Sequence, residues 1–121
     1  MTKNLKVFEK EEFGKLEVLV ENGKEYFPAI EVAKILGYSN PNDAVIRHCK
    51  DSGVVFHEVT INTGLANRVV NKKFIDEGNL YRLIVKSKLP QAEKFESWVF
   101  EEVLPTIRKT GMYFTGDIWD S

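Results

Sequence analysis

Asn40, Asn42, Arg47, His48 and Lys50 crowd one short stretch of the chain, Ser39-Asn-Pro-Asn-Asp-Ala-Val-Ile-Arg-His-Cys-Lys50. Carboxamides at a helix start can pair with adenine, an arginine with guanine, and lysines with phosphate oxygens. That donor set suits double-stranded DNA. Plainer readings stand beside it: Asn40 can serve only as a helix N-cap, and Arg47 and His48 can make internal contacts. Asn42 and Lys50 are the strongest candidates for a partner, being expected to lie exposed on the same element. Further along, Arg68, Lys72 and Lys73 could follow a DNA backbone as a wing, or be a solvated hairpin face. Arg82, Lys86 and Lys88 form a third cationic group with the same two readings, while Arg108 and Lys109 suit the last turn of a helix.

Other chemistries have little to build on. A metal site would have to draw on His48, Cys49 and His57, with Asp51, and their spacing matches no zinc pattern. The chain has no phosphate-cradling glycine loop, no zincin motif, and no Ser, His and Asp residues arranged as nucleophile and base. Cys49 follows His48 directly, but neighbours on a helix point about 100° apart, so a small buried thiol is the better reading. No enzyme, cofactor or metal is expected.

The elements that must position the cationic residues can be read from periodicity. Phe27-Pro-Ala-Ile-Glu-Val-Ala-Lys-Ile-Leu-Gly37 predicts a helix with Ile30, Val32, Ala33 and Leu36 on its apolar face, ended by Gly37 in the left-handed conformation. Asn40 then caps a second helix, and Pro41 occupies its first position, where a missing N–H costs nothing. Helix, short turn, helix with an amide-rich start is the geometry of a helix-turn-helix. The spacing departs from the standard motif: counted from Ala33 and Gly37, the buried position of the second helix falls at Asp43 rather than Ala44, so the turn needs one extra residue.

Around this pair, Leu5 to Val20 reads as strand material, and Asn22-Gly23 marks a tight hairpin turn returning through Tyr26 and Phe27. Val54–Ile61 and Ala66–Ile75 predict a second hairpin about Asn62-Thr-Gly64. Asp76 caps a helix that buries Leu80, Leu83 and Ile84. Pro90 opens a long final helix with a stripe of Phe95, Trp98, Val99, Val103 and Ile107, broadened by Phe100 and Leu104. Pro105 is expected to kink or end it, and Gly111 to stop it. The expected fold class is α+β: two β-hairpins packed with about four helices, including the helix-turn-helix-like pair. Residues 1–111 form the domain, and 112–121, with Tyr113, Phe114 and Trp119 among acids, a tail or the start of a linker to a further domain.

At 121 residues, 43% hydrophobic and 29% charged, the chain has the balance of one globular domain. No apolar run is long enough to span a membrane, the N-terminus lacks a signal-peptide stretch, and Cys49 alone cannot form an intramolecular disulfide, so a cytoplasmic setting is expected. Net charge is −1, which excludes a uniformly basic body. The charge is unevenly spread: residues 34–73 carry six cations and three anions, whereas 96–121 carry two and five.

Several blocks, in order, resemble the BRO-N domain, the N-terminal module of bacteriophage antirepressors and baculovirus BRO proteins. They are Tyr26-Phe-Pro-Ala-Ile-Glu-Val-Ala-Lys-Ile-Leu-Gly-Tyr-Ser-Asn-Pro41, Ala44-Val-Ile-Arg-His48, Gly78-Asn-Leu-Tyr-Arg-Leu-Ile-Val-Lys-Ser-Lys-Leu-Pro90, Ala92-Glu-Lys-Phe-Glu-Ser-Trp-Val99 and Glu102-Val-Leu-Pro-Thr-Ile-Arg-Lys-Thr-Gly111. The resemblance implies a DNA-binding module of a phage or prophage transcription regulator in a bacterial host cell, followed in most members by a different second domain. The competing reading is a protein-interaction module that inactivates a repressor by direct binding, supported by the near-zero net charge and the aromatics of the tail. A palindromic DNA target would require a homodimer.

Overall fold

Asn22 and Gly23 both take positive φ, 53° and 79°, the pairing a two-residue type I′ hairpin needs. The turn they make joins two strands of a five-stranded antiparallel sheet with the order β1-β2-β3-β5-β4. The strands are β1 (Lys3–Lys10), β2 (Gly14–Glu21), β3 (Lys24–Pro28), β4 (Val54–Asn62) and β5 (Asn67–Asp76). The helices are α1 (Ala29–Ile35), α2 (Pro41–His48), α3 (Glu77–Lys86), α4 (Gln91–Trp98) and α5 (Leu104–Thr110). These assignments come from a computed structural model, which describes residues 3–62 and 64–110. Gly111 and the expected tail, with Tyr113, Phe114 and Trp119, lie outside the described residues, as does Thr63 of the second turn.

The fold is α+β as expected, with two differences in its parts. The stretch Leu5–Val20 is a hairpin of its own, turning at Glu11–Phe13 into Gly14 with φ 78°. Its turn has no Asn-Gly or Asp-Gly pair, so it carried no strong local signal. The hairpins also do not stand apart, because Tyr26, Phe27 and Pro28 of β3 pair with Asp76, Ile75 and Phe74 of β5 and join all five strands.

Strand alternation sorts the side chains between two faces. Leu16, Val18, Val20, Phe27 and Ile75 point to the helical layer and are buried with Leu80, Leu83, Phe95, Val99, Val103, Leu104 and Ile107. Phe13 adds an edge-on contact with Phe95, ring centroids 5.4 Å apart, and stacks on Trp98 at 5.5 Å. The stripe expected on the final helix is therefore the stripe that is buried.

Pro105 does not end that helix, which continues as α5. One π turn, Val99–Val103, precedes it, and the Leu104 N–H bonds to the Val99 carbonyl. Widening the turn accommodates the proline ring and its missing donor. A buried carboxylate, Glu25, receives the Arg108 guanidinium at 3.3 and 3.5 Å, and Arg108 also reaches Glu77 at 3.1 Å. Arg108 thus ties α5 to β3 and α3, beyond the role at a helix end that its position suggested.

Candidate nucleic-acid interface

Asn40 caps α2, its Oδ1 accepting from the Asp43 N–H at 3.3 Å, and Pro41 is the first helical residue. The helix buries Ala44 and Val45 and leaves Asn42, Ile46 and Arg47 exposed. Leu36 to Asn40 form the connection from α1, and it is well anchored. The Ile35 carbonyl accepts from Gln91 Nε2 at 2.9 Å, the Leu36 carbonyl from Ser87 Oγ at 2.8 Å, and Tyr38 Oη donates to the Leu83 carbonyl at 2.6 Å. Gly37 has φ 85°, and a Cβ there would run into the Leu89 side chain. The longer turn anticipated from spacing is accommodated this way, with Ala44 rather than Asp43 in the core.

At the other end of α2, Asn79 of α3 is buried and takes hold of the main chain. Its Oδ1 accepts from the Lys50 N–H at 2.8 Å, and its Nδ2 donates to the Lys50 carbonyl at 2.9 Å. The same Oδ1 accepts from Arg82 Nη1 at 3.1 Å. Asp76 caps α3 by accepting from the Asn79 N–H at 2.9 Å, and Gly53 lies so close to the Asp76 carboxylate that no Cβ would fit between them. The Lys50 side chain is exposed, projecting from a backbone held on both sides.

Lys73 and Arg82 lie close enough to Cys49 for their charges to act on its thiol. Burial pushes that thiol up to about 11, Arg82 and Lys73 opposing the rise and Asp76 adding to it. Cys49 is half-buried and, at that pKa, a poor nucleophile. Arg82 of α3 thus shares the Asn79 Oδ1 with the Lys50 N–H just past the end of α2, and Lys73 of β5 acts on the neighbouring Cys49. Arg47 is exposed on α2 in an i,i+4 pair with Asp43 at 3.3 Å, too solvated to restrain it much. The half-buried His48 packs against the Tyr38 ring with centroids 5.8 Å apart.

Lys72 goes elsewhere. It faces the opposite side of the sheet from Lys73 and contacts Glu31 at 2.9 Å and Glu17 at 3.3 Å. Burial pulls against its charge, but the hydrogen bonds and charges of Glu31 and Glu17 prevail and hold the ammonium above its usual range. Arg68 is exposed near the tip of the β4–β5 hairpin. His48, Cys49, Asp51 and His57 are not gathered into a metal-holding cluster among the described residues.

Asn79 and Arg82 matter more than their sequence context suggested. Asn79 sits one helical turn before Leu83 and beside Leu80, in the buried stripe of an amphipathic helix. A polar residue at such a position needs a partner, which was the available signal.

A family model described as "BRO family, N-terminal domain" matches residues 15–105. The chain belongs to the BRO family. A protein of Haemophilus influenzae named only as uncharacterized is 49% identical over 96 residues, covering 79% of this chain and 46% of that protein. A Bro-N domain-containing protein of Acanthamoeba polyphaga mimivirus is 29% identical over 119 residues, covering 91% of this chain and 48% of its own. Another, of Autographa californica nuclear polyhedrosis virus, is 30% identical over 118 residues, covering 88% and 36%. The BRO chain thus spans less than half the length of these relatives. No solved structure matches it. No helix among the described residues is long and apolar enough to cross a membrane.

Proposed function

We propose that this BRO-family domain is the DNA-binding module of a phage or prophage antirepressor-type transcription regulator. The observation that carries the reading is the buried Asn79 carboxamide, which holds Lys50 and Arg82 at the end of an exposed, amide-capped helix with Lys73 nearby. Cations held by a preorganised backbone suit phosphate oxygens, and they fix the register in which Asn42 and Arg47 of α2 would meet base edges. Lys72, neutralised by two carboxylates on the far side of the sheet, is left out of this interface.

The test is fluorescence-anisotropy binding of the chain to fragments of its own genome's regulatory region, with an Asn42→Ala/Lys50→Ala variant beside it. About four phosphate contacts would weaken binding on the order of 100-fold between ~50 and ~200 mM salt. Salt-sensitive binding to particular fragments, lost in the variant, supports the reading. A folded chain that binds no fragment at low salt sinks it.

A protein-interaction module acting on a repressor has its own observation. Tyr81 and Val85 stand 50% and 60% exposed along α3, beside a groove of about 420 Å³ lined by Glu77, Gly78, Tyr81, Glu96 and Phe100. An apolar surface rimmed by acids suits a protein partner, whose binding would change little with salt.

A further inference from the structure

The sheet has two outer strands among the described residues, β1 and β4. An edge strand offers unpaired N–H and C=O groups, and folded proteins usually guard it with charges, proline or a bulge. The β1 edge carries Lys6, Glu9 and Lys10. The β4 edge, Val54-Val-Phe-His-Glu-Val-Thr-Ile-Asn62, has Glu58 as its one acid or lysine-type charge over nine residues and contains no proline. Its register with β5 runs unbroken from Val54↔Ile75 to Asn62↔Asn67, so no bulge twists it away.

Apolar side chains flank this edge on both faces. Phe56 is 60% exposed and, further along the same face, Val69 of β5 opposite Thr60 is 64% exposed; on the other face Ile61 is 46% exposed. That second face opens onto a groove of about 810 Å³, lined by Leu5 and Ile30, by the ion-paired group Glu17, Lys72 and Glu31, and by the consecutive residues His57–Ile61. Consecutive side chains in a strand point to opposite faces. Five in a row can line one groove only if main-chain atoms of β4 border it too, and among the described residues no strand pairs with β4 on its outer side, so the edge is open to a further strand.

We propose that the occupant is a second copy of this chain, its β4 pairing antiparallel with this β4 about a two-fold axis perpendicular to the sheet. Such an axis keeps each face on its own side and allows few registers. Glu58 opposite Glu58 sets like charges together, which is destabilising, and His57 opposite His57 does the same once the imidazoles are protonated. With Val59 opposite Val59, Glu58 faces the Thr60 hydroxyl, His57 faces Ile61 and Phe56 faces Asn62. No like charges meet from Phe56 to Asn62, and the two five-stranded sheets become one. The pairing is independent of the DNA reading, though a two-fold dimer is what a palindromic site would require.

Sedimentation equilibrium of the chain tests the proposal at protomer concentrations on the order of 100 μM, suited to a small interface. The expected mass is twice 13.9 kDa. Val59→Lys, which sets two ammonium groups on the axis, should give a folded monomer, whereas Val7→Lys on the β1 edge should leave the dimer intact. In a Cys49→Ala background, Val59→Cys should cross-link between chains with a short bis-maleimide, since facing Cβ atoms lie about 5 Å apart, and this arm decides the matter if Val59→Lys does not fold. A monomeric wild-type chain overturns the proposal. So does a dimer that survives Val59→Lys in a folded protein, or a Val59→Cys chain that does not cross-link.

Discussion

The Asn79 carboxamide closes on the main chain of Lys50 at both ends, accepting from its N–H at 2.8 Å and donating to its carbonyl at 2.9 Å. This joins the end of α2 to a buried position of α3, across a sequence separation no local rule spans. Asn79→Leu should remove both bonds and leave the Lys50 backbone groups facing an apolar side chain. The expected loss is about 2–3 kcal/mol in urea denaturation. A change below about 0.5 kcal/mol would mean the clamp is not important to the fold.

Lys72 and Lys73 are adjacent in β5 and should behave oppositely. Lys73→Ala is expected to lower the salt slope of DNA binding by about one with little effect on stability. Lys72→Met should leave binding unchanged and cost about 1 kcal/mol, the pair being partly solvated. Equal effects on binding would contradict the two-sided arrangement.

The Lys72 triad also carries a pH signature. The folded state holds the Lys72 proton more tightly than the ordinary lysine value of 10.5. Its contribution is therefore complete below 10.5 and is lost as pH rises through the raised folded value. Urea midpoints followed from about pH 9 to about 11.5 should fall more for the wild type than for Lys72→Met.

Cys49 should be slow to alkylate. Burial, only partly offset by Arg82, carries its thiol from 9.0 to about 11. At a fixed pH below 9 the native thiolate fraction is then about a hundredfold below that of the unfolded chain. Iodoacetamide labelling should show this ratio, and Arg82→Ala should slow native labelling further by removing a favourable charge. Equal native and unfolded rates would show the thiol to be unprotected.

Gly37→Ala meets two obstacles, a φ of 85° and the Leu89 side chain. The backbone alone costs about 1–2 kcal/mol. Adding Leu89→Ala should recover the steric part and leave the backbone part, a non-additivity that a double-mutant cycle in thermal unfolding would expose.

Much of this molecule was legible from local chemistry. Asn40-Pro41 and Asp76 start helices where the caps predict, Gly37 and Asn22-Gly23 take the positive φ their turns need, and the Phe95–Ile107 stripe is the one buried. The Glu11–Phe13 turn was hidden because its glycine lacks the usual partner. The π turn was hidden because Pro105 signals a kink or an end without specifying how the preceding turn gives way.

The sequence by itself determined most of the elements, their caps, the family and the exposed amide-and-cation start of α2, because these depend on residues a few positions apart. The tertiary structure decided which cations lie near one another. It brought Arg82 onto the Asn79 carboxamide that holds the Lys50 backbone, set Lys73 near Cys49, and sent Lys72 to two carboxylates on the far face. The β3–β5 pairing likewise merged separate hairpins into one sheet with β4 at its edge. Such outcomes follow from packing and strand register between distant segments, and a one-residue step in a strand turns each side chain to the other face.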